Sequence, residues 1–435
     1  MHVTAHLDLD VVPVDQDDEV TVLVRITAPE PEPSAGRPPA TLQIVLDRSG
    51  SMGRGRLDGA RRALTALVDR LDPVDNFGLV SFDDTARVDV PAGPLADKRG
   101  AKHAIAALRP GGSTDLSSGL LRGIQEAHRA ANDRGATLLL ISDGHANVGV
   151  TDPGRLAMAA MAAHRQGVST STLGYGLDYD EGLMAAIADG GAGSALHAED
   201  PDTAGQLIAG ELDGLLAKVT QAASLTITPH PPVSSVLLYG GLPSARLPGG
   251  AIMAELGDLY AGETRKILLR LLVPGISRLG VVTIAELVFT YVATETLTSY
   301  TVTVPVSVNV VPGDEAAGRA PDLTVRAERL FQQAQDAKRQ ASDALLRGDV
   351  ARAEEVLESA GRELEKGLSW APNAEELSAE VRELHRYARA SPMDRKRVSK
   401  EALASWHRAT RKRGRPPRPS EASPDAPSDD PPNGH

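Results

Sequence analysis

Between Thr41 and about Val219, short apolar runs alternate with amphipathic segments, and this alternation constrains the 435-residue chain more than any other feature. TLQIVL, FGLVSF, ATLLLIS and VSTSTLGYG have strand length, whereas LDGARRALTALVDRL, SSGLLRGIQEAHRAA, GRLAMAAMAAHRQ and TAGQLIAGELDGLLAKV carry helix-like apolar spacing. Strands joined through helices run parallel and need cover on both faces, so the stretch predicts a doubly wound, mainly parallel α/β sheet.

The flanks read differently. Val3, Ala5, Leu7, Leu9 and Val11 alternate with polar residues, as do Val20, Val22, Val24 and Ile26, which predicts two half-buried strands before the Pro-rich stretch PEPEPSAGRPP. From Leu225 to Val311 six further strand-like runs are separated by Pro and Gly turns. Together the flanks give about eight strands, enough for one antiparallel β-sandwich, with the α/β unit inserted between its second and third strands. Beyond residue 313 the pattern is helical. Leu323, Leu330, Phe331, Leu345 and Leu346 fall in one segment and Val350, Ala353, Val356, Leu357 and Leu364 in the next. Gly348 and Asp349 between them supply a stop and an N-cap. Two more helices are expected at 373–390 and 394–411. The predicted organisation is sandwich strands at 1–36, the α/β domain at 40–220, the remaining sandwich at 221–313, a helical hairpin or bundle at 320–411 and a disordered tail at 412–435.

Composition removes several function classes. With no cysteine there is no disulfide framework, thiolate metal site or cysteine nucleophile, so oxygen and imidazole remain as metal ligands. The formal charge of −12 and an aromatic content of 3% disfavour nucleic-acid binding by the body of the chain. The first residues alternate and carry acids instead of a basic start and apolar run, so no export signal is read. No apolar run is long enough to span a membrane, and the expected location is the cytoplasm.

The first apolar strand of the α/β unit ends at Leu46 and runs into Asp47-Arg48-Ser49-Gly50-Ser51-Met52. Ligands of open α/β sheets bind beyond the C-terminal ends of parallel strands. One carboxylate and two hydroxyls at i, i+2 and i+4 can converge there, and sulfur-free oxygen donors suit Mg²⁺ or Mn²⁺. Taken alone, a D-x-S-x-S loop is more often an N-cap or turn than a ligand set.

This DRSGS resembles the metal-ion-dependent adhesion site of the von Willebrand factor type A family, whose pattern continues with a distant Thr and a distant Asp. Thr114, in GGSTD before a predicted helix, and Asp143, in SDG after a predicted strand, occupy those positions. The surrounding architecture, with GDLYAGETRKILLRLLVP, resembles bacterial type A proteins related to inter-alpha-trypsin inhibitor heavy chains. The resemblance implies that Asp47, Ser49, Ser51, Thr114 and Asp143 hold Mg²⁺ or Mn²⁺. It further implies that an Asp or Glu of a protein partner completes the coordination and that Arg48, Met52 and His145 border the partner. Intracellular type A proteins often work with AAA+ ATPases or signalling enzymes, which makes these the candidate partners. The implied function is a non-enzymatic, metal-dependent scaffold or regulatory subunit. His145 also reads as an ordinary surface-loop histidine.

A Ser49–His145–Asp47 triad fails as an alternative, because a metal-bound hydroxyl is not free to attack and no oxyanion loop is recognisable. A second reading rests on the C-terminus. Between Arg386 and Arg418 twelve Lys or Arg face only Asp394 and Glu401, and within this island Arg413-Gly414-Arg415-Pro416 resembles the core of an AT-hook. That reading makes the chain a nucleic-acid-associated regulator.

Overall fold

The computed structural model describes residues 1–30, 37–53, 55–131 and 133–410. The predicted tail, with Arg413, Gly414, Arg415 and Pro416, lies outside the described residues.

Three strands open the chain: β1 (His2–Leu7), β2 (Val11–Pro13) and β3 (Asp18–Thr27). The α/β region follows as β4 (Thr41–Asp47), α1 (Arg56–Arg70), β5 (Asn76–Phe82), β6 (Ala86–Pro94), α2 (Lys98–Ala107), α3 (Leu116–Ala130), β7 (Ala136–Ser142), α4 (Pro153–His164), β8 (Val168–Tyr175), α5 (Glu181–Gly190), β9 (Ala192–Ala198) and α6 (Pro201–Leu216). Then come β10 (Lys218–Pro229), β11 (Ser235–Leu238), β12 (Ser244–Arg246), β13 (Ile252–Tyr260), β14 (Thr264–Val273), β15 (Gly280–Ala293) and β16 (Ser299–Val311). Helices α7 (Gly313–Ala316), α8 (Leu323–Leu346), α9 (Val350–Gly367), α10 (Ala374–Ala388) and α11 (Arg395–Thr410) complete the described chain.

The α/β sheet has the order β6-β5-β4-β7-β8-β9, parallel throughout except for the antiparallel edge strand β6. Every residue of β4 and β7 is buried, because each strand turns alternate side chains to helices on opposite faces. Leu42, Ile44 and Leu46 pack with α1, α2 and α6 on one side, and Val45 packs with α3 on the other, in the cluster that also takes in α4 and α5. Helix α3 comes close to the sheet at Gly119, where a Cβ would stand 2.4 Å from Phe82 Cδ1. From β4 the chain moves to β5, and it later returns to β7 on the other flank, so the C-terminal ends of β4 and β7 border the crevice where the strand order reverses.

Strands from both sides of the α/β region form two further sheets, β1-β3-β14-β11 and β12-β13-β10-β15-β16-β2, which share one apolar cluster. Their pairings are antiparallel apart from β2 with β16. They hold ten strands where the sequence suggested about eight; β2 and β12 have three residues each, too short for alternation to register. Val20, Val22, Val24 and Ile26 of β3 face that shared core, while Leu23 on the opposite face meets Leu268 and Val325 of α8.

Helices α8 to α11 pack around Phe331, Leu357, Leu364, Leu384 and Val398. Asp349 caps α9 by accepting from Arg352 N at 3.1 Å. Helix α11 also joins the α/β region: Lys400 donates to Tyr179 O at 2.6 Å and pairs with Glu181, and Arg397 pairs with Glu199. His407 bridges Ala195 N, which donates to Nδ1 at 3.2 Å, and Asp189 Oδ1, 3.1 Å from Nε2. Among the described residues no helix is long and apolar enough to cross a membrane.

Candidate metal centre

Strand β4 delivers Asp47 to the switch point, and β7 delivers Ser142 and Asp143 beside it. Both carboxylates are wholly buried. Asp47 Oδ1 accepts from Ser49 N at 2.7 Å, and its Oδ2 accepts from Ser142 Oγ at 2.6 Å. Ser49 Oγ lies 3.0 Å from Ser51 Oγ, which donates to Asp143 Oδ1 at 2.6 Å. Thr114, 4% exposed, enters from the loop before α3; a methyl group at Gly144 would lie 3.4 Å from both Ser51 Oγ and Thr114 Oγ1. The five predicted donors thus come from three loops and gather around one point. Ser51 alone of the five is exposed, so the cluster opens to solvent there.

Backbone bonds lock the loops together. Gly50 N donates to Gly112 O at 3.2 Å, Gly111 N to Arg48 O at 2.8 Å and Asp115 N to Asp83 O at 2.8 Å. Asn147 clamps Thr114 from both sides: its Oδ1 accepts from Thr114 N at 3.0 Å, while its own N donates to Thr114 O at 3.1 Å. Asp115 caps α3 by accepting from Ser118 N at 2.9 Å.

The electrostatics fit a hard cation. Asp47 forms no ion pair with a side chain of the described residues, and its carboxyl is pushed up to about 6 by burial, against the hydrogen bonds from Ser142 and Ser49, with the neighbouring Asp143 charge adding to the rise. A buried carboxylate held by neutral donors alone is costly until a positive charge arrives. Two carboxylates and three hydroxyls form an all-oxygen donor set. Among the described residues no group of three or more His, Asp or Glu gathers as a candidate metal cluster, and here two carboxylates are supplemented by hydroxyls.

The predicted rim is rearranged. Met52 is wholly buried in the core beneath α1, so it is a packing residue and not part of a partner-facing surface; the short helical turn at 50–52 points its side chain inward. Arg48 is tied to Asp83 at 2.7 Å, and Asp83 is buried. His145 is exposed beside the donors. Sequence reasoning missed Asn147, which reads as one more polar loop residue, and Arg56, whose Nη1 lies 2.6 Å from Asp143 Oδ2.

Fold and donor set together define a class: a doubly wound α/β domain with carboxylates and hydroxyls assembled at the switch point of its sheet. Residues 42–209 match the von Willebrand factor type A domain family, and the chain carries a domain of that family there. Protein sll0103 of Synechocystis sp. is 32% identical over 168 residues, which cover 39% of this chain and 40% of that one. Human inter-alpha-trypsin inhibitor heavy chain H4 is 27% identical over 180 residues, covering 39% of this chain and 19% of the heavy chain. The matched region thus spans 40% or less of each of these curated relatives. A solved structure described as von Willebrand factor type A from Catenulispora acidiphila matches 95% of this chain and 97% of its own, with a TM-score of 0.71 and 17% identity. That likeness extends the shared fold from the α/β domain to the flanking sheets and the helices.

Proposed function

We propose that this chain is a non-enzymatic protein-binding module that acts inside the cell as a scaffold or regulatory subunit, with Mg²⁺ or Mn²⁺ at the five-donor site. The observation that carries the reading is the convergence of Asp47, Ser49, Ser51, Thr114 and Asp143 on one solvent-facing point. A divalent cation held there supplies a coordination position for a carboxylate of a protein partner. Asp47 and Asp143 provide the charge that retains the ion, while Ser49, Ser51 and Thr114 provide oxygen without further charge. Asn147 and the 111–112 backbone keep the hydroxyls in place, the supporting role that outer partners play around metal ligands. AAA+ ATPases and signalling proteins are the candidate partners.

The test is affinity capture on the immobilised full chain. We expect a partner retained in Mg²⁺, released by chelator and absent from an Asp47→Ala column. Retention that survives chelation, or is equal on both columns, overturns the proposal.

A further inference from the structure

Asp143 does not present both oxygens to the site. Its Oδ1 accepts from Ser51 Oγ and its Oδ2 is held by Arg56 Nη1, each at 2.6 Å. Arg56 is the first residue of α1, immediately beyond the donor loop. The far side of its guanidinium rests on Gly176, the residue that follows β8. A Cβ there would lie 2.6 Å from Nη2 and 2.8 Å from Cζ, and the φ of +85° disfavours any side chain as well. Gly176 is itself fixed to the neighbouring strand, donating to Ala198 O at 2.7 Å. The fold therefore seats Arg56 against the site; its side chain is 28% exposed, against 0% for Asp143. Arg48, the nearby alternative, is paired with Asp83.

We propose that Arg56 sets the balance between metal and partner at this site: it weakens the hold on a divalent cation and strengthens the hold of the loaded site on an outside carboxylate. The inference rests on the metal-binding reading above. Asp47 and Asp143 together carry −2 and Arg56 returns +1, so the site holds −1. With a divalent ion it stands at +1, and a partner carboxylate brings it to zero. Without Arg56 the loaded site is already neutral, and the same carboxylate adds an uncompensated negative charge. One unit charge a few ångströms away in a partly buried site changes a binding constant by roughly 3- to 30-fold.

A purely positioning role gives a different pattern. If Arg56 only orients Asp143, removing it weakens metal and carboxylate binding together. The electrostatic role moves the two in opposite directions.

The experiment uses the full chain, Mn²⁺ as the cation and acetate as the carboxylate. Mn²⁺ uptake is read from the loss of the free-ion paramagnetic resonance signal, and acetate from the fall in water-proton relaxation as it displaces bound water. Arg56→Gln should bind Mn²⁺ about 3- to 30-fold more tightly and acetate more weakly by a similar factor. Arg56→Lys, which keeps the charge, should hold both constants within about 3-fold of wild type. Should Arg56→Gln fail to fold, Gly176→Ala provides the same reading by pushing the guanidinium off Asp143, with both constants moving in the same directions by smaller factors. A parallel weakening of both constants, or an unchanged acetate affinity, overturns the proposal. If the wild-type chain takes up no Mn²⁺, the metal reading itself fails. Uptake by wild type with unaltered constants in Arg56→Gln removes only the role given to Arg56.

Discussion

At the switch point of the α/β sheet, Asp47 is wholly buried and held by the hydroxyl of Ser142 and the backbone of Ser49. In the helical bundle Lys338 is equally buried, but its Nζ meets Glu380 Oε1 at 2.7 Å, Glu383 Oε2 at 3.1 Å and Ser405 Oγ at 2.9 Å. Burial raises the Glu380 carboxyl even against the Lys338 charge. Both places remove formal charge from water, and the outcome differs. The bundle answers its own lysine with carboxylates from α10, which fixes how α8, α10 and α11 register. At the sheet, Arg56 answers Asp143 but no ion pair among the described residues answers Asp47, and a site with that surplus negative charge has affinity to offer a cation.

The largest effect should come from breaking the self-satisfied cluster. Lys338→Ala leaves Glu380 buried without its cation and should lower unfolding free energy by about 3–5 kcal/mol, measured by urea denaturation. Adding Glu380→Leu to a Lys338→Met background should recover much of the loss, since an apolar replacement removes both desolvation penalties. A Lys338→Ala protein as stable as wild type would erase the contrast.

The joint between α11 and the α/β region should respond to acid. His197 is lowered from the ordinary 6.5 to about 4, first by burial and then by the charge of Lys400. The folded state therefore favours the neutral ring. Its contribution is complete above pH 6.5 and is lost as pH falls from there towards 4, a total of about 3 kcal/mol. Urea midpoints compared at pH 7 and 4.5 should show this slope in wild type and a shallower one in His197→Gln.

At the metal site the expected effects depend on the ion. Mg²⁺ at about 100 times its dissociation constant should stabilise the wild-type chain by about 2.7 kcal/mol, read as an upward shift in calorimetric Tm. Asp47→Asn should abolish that shift yet cost little in chelator, because a neutral amide removes the unanswered buried charge. The smallest effect concerns the clamp on Thr114. Asn147→Ala should cost about 1 kcal/mol and weaken Mn²⁺ uptake by a few-fold while leaving the bundle's unfolding unchanged.

What could be read from the residues follows the range of the interactions. Asp47, Ser49 and Ser51 share one loop, and Thr114 and Asp143 are recognisable because each sits where a predicted element begins or ends. The alternation that predicted β4, β5, β7 and β8 reflects burial on two faces, which is a local pattern. Helix α2 escaped notice because only Ala101 and Ile105 of its ten residues are buried, giving a faint periodicity. Helix α5 and strand β9 are hard to read because the ADGGAGSA stretch across their junction looks like one loop. Arg56 pairs with a residue 87 positions away, and no spacing rule links the two. The basic island was misleading in part: Lys400 is 3% exposed and paired with Glu181, so its charge belongs to the interior.

Crystals of the full chain soaked in Mn²⁺ and measured by anomalous diffraction put the five-donor site to the test. A single strong peak enclosed by Asp47, Ser49, Ser51, Thr114 and Asp143, absent from Asp47→Asn crystals, is expected. An empty site at millimolar Mn²⁺, or a peak bound elsewhere with these five side chains turned apart, would contradict it.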